Sequence, residues 1–114
     1  MKIAIPMDEK SKKGEVASVF GRASHFLIYD RNEQSYIFLE NEAKQRPGGA
    51  GVQAAQLLVD AGAQVVLAPQ CGANALQVLE GAKIKIYRCK PGPAQDNLDA
   101  FLEGKLQALV DGEW

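Results

Sequence analysis

The stretch that most constrains this chain runs from Pro47 to Gly72, PGGAGVQAAQLLVDAGAQVVLAPQCG. Its spacing predicts a glycine-rich turn, an amphipathic helix, a short loop, a buried strand and a second turn that carries a cysteine. Pro47 biases Arg46 away from helical angles, and Gly48, Gly49 and Gly51 lose the most entropy on ordering, so the helix is expected to start at Val52. Val52, Ala55, Leu58 and Val59 then share one face, and Gly62 stands where a left-handed cap is expected. Val65-Val66-Leu67-Ala68 is an unbroken apolar run, the pattern of a strand covered on both faces. A glycine turn opening a helix offers unpaired N–H groups and the positive end of the helix dipole, a small uncharged cradle for an anion.

Around this unit the chain reads as α/β. Lys2 to Pro6 is a first strand, stopped by the missing N–H of Pro6. Met7 to Gly14 is a charge-dense surface loop, and Gly21-Arg22 a turn. Phe26 to Asp30 and Tyr36 to Glu40, joined by the polar Arg31 to Gln34, form an antiparallel hairpin. Ala73 to Leu79 gives a short helix ended by Gly81. Ile84 to Arg88 alternates, as expected of a strand nearer a sheet edge. Asp96 to Leu109 reads as a terminal helix with Leu98, Phe101, Leu102, Leu106 and Leu109 inward and Gly104 as a weak point. Right-handed crossovers make the strands at Ile3, Val65 and Ile84 parallel.

The 114 residues make one domain, 1–114, with a core burying roughly two-thirds of the unfolded surface. A net charge of -1 leaves no footprint for nucleic acid or an acidic membrane. No apolar run approaches the ~20 residues of a membrane span. Met1-Lys2 leads straight into Ile3-Ala4-Ile5, so a signal peptide is not expected, and two cysteines without one suggest reduced thiols in a cytoplasm.

Ligands of open α/β sheets sit beyond the carboxyl ends of the parallel strands. Pro6-Met7, Pro69 to Gly72 and Cys89 to Pro91 arrive there, with Gly48 to Gly51 beside them. Cys71 and Cys89 follow neighbouring strands, so their thiols are expected on one rim facing a common hollow. Thiolates select zinc, copper(I) or metal–sulfide clusters, yet two cysteines 18 apart fit no closed four-ligand motif, and both read equally as small half-buried side chains. His25 is the single histidine: one imidazole ligand, or a plain strand-edge residue. Arg22 and Arg88 suit an anion through their planar forks, or pair with Asp30 or Glu40. Asn74 caps the helix at Ala73 or shapes its first turn. There is no GxSxG, P-loop, HExxH or nucleophile–base pair, so enzymatic chemistry is not supported.

Taken together, MKIAIP, VASVFGRASHFLIYD, GGAGVQAAQLLVDAGAQVVLA, QCGANALQVL, IKIYR and FLEGKL resemble, in order and over nearly the whole chain, the dinitrogenase iron–molybdenum cofactor biosynthesis family. The likeness is to its small NifX/NifB/NafY-like stand-alone members, including the orange-protein-like branch that holds a molybdenum–copper sulfide cluster. The resemblance implies a ribonuclease-H-like α/β fold, a five-stranded mixed sheet of order 3-2-1-4-5 with one antiparallel hairpin strand and helices on both faces. It also implies non-covalent binding of a metal–sulfur cluster or precursor, as a carrier in cofactor assembly with protein partners. Phe20 to Ala23, Gly48 to Gly51, Gly72 and Asn74 match the family pattern. The Glu42 to Pro47 loop lacks the histidine many members carry, while His25 and Cys71 replace an aromatic and a non-cysteine. The contacts then implied come from cysteine, backbone N–H and arginine. The rival expectation is a small interaction or regulatory module beside an ATPase or other partner, with no cluster.

Overall fold

The computed structural model describes residues 1–11, 13–42 and 48–109; Pro47 and the 43–46 loop, on which part of the glycine-turn reading falls, lie outside them. In chain order the elements are β1 (Lys2–Met7), a 3-10 turn (Phe20–Arg22), β2 (His25–Asp30), β3 (Ser35–Glu40), α1 (Ala50–Asp60), β4 (Val65–Ala68), α2 (Ala73–Gly81), β5 (Lys85–Arg88), α3 (Ala94–Leu102) and β6 (Gln107–Leu109). Among the described residues they form one mixed sheet of six strands, not five, in the order β3-β2-β1-β4-β5-β6. β1, β4 and β5 are parallel, as expected, and β2–β3 is the expected antiparallel hairpin. Its turn is closed by Asp30 Oδ1, which accepts the N–H groups of Asn32 (2.9 Å) and Glu33 (3.3 Å).

The sixth strand corrects the expected helix over Asp96 to Leu109. α3 ends at Leu102 because Gly104 turns left-handed (φ 75°). The N–H of Gly104 bonds Phe101 O at 3.0 Å and that of Lys105 bonds Ala100 O at 2.9 Å, closing the last turn. The chain then pairs antiparallel with β5, Leu109 opposite Ile86 and Gln107 opposite Arg88. β5 is therefore one strand in from the edge, nearer to it than β4, as its alternation predicts. Gly62 (φ 81°) caps α1 as predicted, but α2 runs through Gly81 and Lys83 takes the left-handed position (φ 63°). β1 also continues past Pro6. The Pro6 carbonyl accepts Ala17 N–H (2.8 Å) on the side where β4 pairs only with Ile3 and Ala4, so no ladder donor is required of it there.

Side-chain alternation divides the core between the two sheet faces. Ala4, Phe26, Ile28, Val66, Ala68 and Ile86 pack with α1 and α2. On the other face Ile3, Ile5, Leu27, Val65 and Leu67 pack with Leu98 of α3, and Tyr87 meets Phe101 edge-on with ring centroids 4.9 Å apart. β4 is buried at every position, as its apolar run predicts.

Candidate functional site

At the carboxyl edge of the parallel strands, α1 and α2 begin side by side. α1 starts at Ala50, two residues earlier than expected, because Gly49 takes the left-handed N-cap position (φ 72°) and Gly51 is already helical. Gly72 is the N-cap of α2, and neither helix receives a side-chain cap. The first helical bonds run from Gln53 N–H to Gly49 O (3.0 Å) and from Leu76 N–H to Gly72 O (2.9 Å). The N–H groups ahead of them have no intrahelical partner, and both positive dipole ends meet at one place. Asn74 is exposed in the first turn of α2 and is not its cap.

Between these ends and the 3-10 turn lies a cavity of about 430 Å³, lined by Arg22, Ala50, Gly51, Gln70, Cys71 and Gly72, with Val19 and Phe20 as an apolar wall. Among the described residues no carboxylate lines it. Two residues that site reasoning passed over build it. A Cβ on Gly21 would stand 2.7 Å from Gly51 N and 2.8 Å from Gly51 Cα, so only glycine lets the 3-10 turn rest on the start of α1. Asn41, 1% exposed, donates Nδ2 to Gly21 O (3.2 Å) and Ala23 O (2.8 Å), and its backbone N–H to Ser24 O (3.0 Å). The glycine between Phe20 and Arg22 was the available signal for the first. Nothing local marks Asn41.

The two thiols do not share this hollow. Cys71 packs in the α1/α2 core beside the cavity, whereas Cys89 packs in the α3 core on the opposite sheet face. Cys89 and Arg88 line a different cavity of about 600 Å³ together with Lys90 and Lys105. Only Gln70 among the predicted rim residues borders both. Alternation explains Cys89: its N–H bonds Ala68 O (3.0 Å), prolonging β5, so it falls on the face of Tyr87. Burial pushes each thiol up to about 12 from the ordinary 9.0, keeping both protonated near neutrality.

His25 lines neither cavity. It pairs with Met7 and Glu40 in the sheet, its Nδ1 3.0 Å from Ser24 Oγ. Gly48 and Gly49 border the start of α1 in open space rather than the cavity wall. Among the described residues no three histidine, cysteine, aspartate or glutamate side chains gather to hold a metal ion, and no helix is long and apolar enough to cross a membrane.

Comparison with known proteins places the fold. The apo form of the orange protein from Desulfovibrio gigas is similar with a TM-score of 0.92 and 29% identity, over 96% of this chain and 93% of that one. A NifB-type protein from Thermotoga aligns with a TM-score of 0.85 and 33% identity, over 99% and 98% of the two chains. An uncharacterised protein of Methanocaldococcus jannaschii is 27% identical over 110 residues, 94% of this chain and 90% of that relative. Residues 1–104 match the family described as dinitrogenase iron-molybdenum cofactor, and the chain belongs to that family.

Proposed function

We propose that this protein carries a preformed metal–sulfide cluster or its precursor, of molybdenum, iron or copper, as a non-covalent cargo in cofactor assembly. The observation that carries the reading is the meeting of two uncapped helix N-termini and Arg22 on one cavity of about 430 Å³ that no carboxylate lines among the described residues. Sulfide clusters are anions, and clustered peptide N–H groups with a guanidinium stabilise anionic charge without specifying a metal. A single cysteine cannot complete a four-ligand site, which suits a cargo whose metals arrive with their own sulfides. Cys71 then offers one soft contact from the cavity wall, giving up its proton to the metal as it binds. Gly51 and Gly72 let the cargo approach the backbone, and Gly48, Gly49 and Asn74 shape the two helix starts. Arg88, Cys89 and His25 take no part in this reading.

Anaerobic incubation with tetrathiomolybdate, with and without copper(I), followed by desalting tests it. Stoichiometric molybdenum with a charge-transfer spectrum is expected on the protein. Gly72 has ordinary extended angles (φ -59°, ψ 154°) and open space where a Cβ would stand, so Gly72→Phe should fold yet retain none. Absence of retention by the unmodified protein, or equal retention by Gly72→Phe, overturns the proposal.

A second reading, a docking module beside a partner ATPase, draws on edge strand β3, where Tyr36 is 42% and Ile37 62% exposed. It requires partner binding that Ile37→Lys abolishes while thiomolybdate retention survives.

A further inference from the structure

Across Pro69 and Gln70 from the cradle, the sheet edge carries the larger cavity, and its chemistry is of another kind. Three cations, Arg88, Lys90 and Lys105, stand in its wall, and among the described residues no carboxylate lines it. The whole chain has 13 basic and 14 acidic residues, so this is a local concentration of charge. Lys105 Nζ lies 2.9 Å from Glu103, but both side chains are largely exposed, and such a pair yields readily to a stronger anion. The buried Cys89 thiol stays neutral and subtracts nothing from the charge. Pro69, Pro91 and Leu106 supply apolar surface beside the cations. The loop is set in advance. Asn97, 4% exposed, accepts Lys90 N–H at Oδ1 (2.8 Å) and donates Nδ2 to Lys90 O (2.8 Å) and Pro93 O (3.3 Å).

We infer that this cavity is a second ligand site, independent of the cargo cradle, for a phosphoryl anion of two or more charges: inorganic pyrophosphate or the diphosphate end of a nucleotide. Cations spread around about 600 Å³ match a chain of phosphoryl groups better than a single tetrahedral oxyanion, and the proline and leucine surface leaves room for an uncharged ring. Recognition rests on exposed side-chain charge, so binding weakens as salt rises.

Amide NMR titration of the full chain with pyrophosphate, ADP and acetate tests the assignment. Pyrophosphate and ADP are expected to move the amides of residues 88–91 and 105–107, and acetate to move none. Tighter binding of ADP assigns the site to a nucleotide, and equal binding to the inorganic anion. Lys90→Gln combined with Lys105→Gln, both exposed positions, should weaken either ligand roughly tenfold or more and leave thiomolybdate retention unchanged. Shifts centred on Gly51 and Gly72, no shift with either phosphoryl ligand, or undiminished affinity in the double variant overturns it.

Discussion

Two hollows lie at one edge of the sheet, and each has an arginine, a buried cysteine and a buried asparagine that holds its loop. On the α1/α2 side Asn41 fixes the turn that bears Arg22; on the α3 side Asn97 fixes the loop after Arg88. The likeness stops there. The first hollow is walled in large part by the glycines and helix starts of α1 and α2, whose first N–H groups have no intrahelical partner. The second is walled by long cationic side chains over apolar surface. Backbone N–H groups are held in place by the helices and lose little entropy on binding, whereas lysines are mobile and screened by salt. A similar position in the fold has thus been given two chemistries, one shaped and one charged.

The sharpest way to break this contrast is at the backbone contact. Gly21→Ala places a Cβ 2.7 Å from Gly51 N, and we expect a loss of about 3 kcal/mol in denaturant unfolding, together with loss of thiomolybdate retention. A stable, cargo-binding Gly21→Ala would remove close backbone packing from the account. Next come the asparagines. Asn41→Ala and Asn97→Ala each strand buried carbonyls and should cost about 2 kcal/mol. In amide NMR spectra the first should disturb residues around Phe20–Arg22 and the second those around Lys90, each sparing the other hollow.

The thiols give a smaller, directional test. Cys71→Ser should lower cargo retention several-fold and Cys89→Ser should leave it intact, with about 1 kcal/mol lost in each from a buried hydroxyl. Their titration adds a pH signature. Both folded-state values are raised to about 12 from 9.0, so above pH 9 the unfolded chain holds fewer thiol protons than the native one. Stability is therefore complete below about 9 and falls as pH climbs towards 12, and the double serine variant should flatten that decline in unfolding experiments. Smallest of all, His25→Gln should change stability by less than about 0.5 kcal/mol and leave retention unchanged, since the ring lines neither hollow.

Much of the architecture was legible in the residues because it depends on local rules. The unbroken Val65 to Ala68 run announced a strand covered on both faces, the hairpin followed from Asp30 and its polar turn, and Gly62 stopped α1 where a left-handed residue was needed. Of the candidate site, the gathering of Arg22, Gly51, Cys71 and Gly72 around one hollow at the carboxyl edge was legible.

Chain order and side-chain pattern were enough to determine an α/β sheet and the edge at which its loops gather, because strand period, helix period and turn chemistry act over a few residues. Tertiary structure alone decided three things. Gln107–Leu109 is too short to show a period and becomes a strand only because β5 offers it an open edge. Gly21 and Asn41 matter through segments that lie next to them in space, not in sequence. The separation of Cys71 from Cys89 depends on a path through Pro69 and Gln70 that breaks strand alternation after β4, while β5 keeps it. Adjacent strand ends bring residues to one edge; the face each side chain enters is settled by how its loop packs.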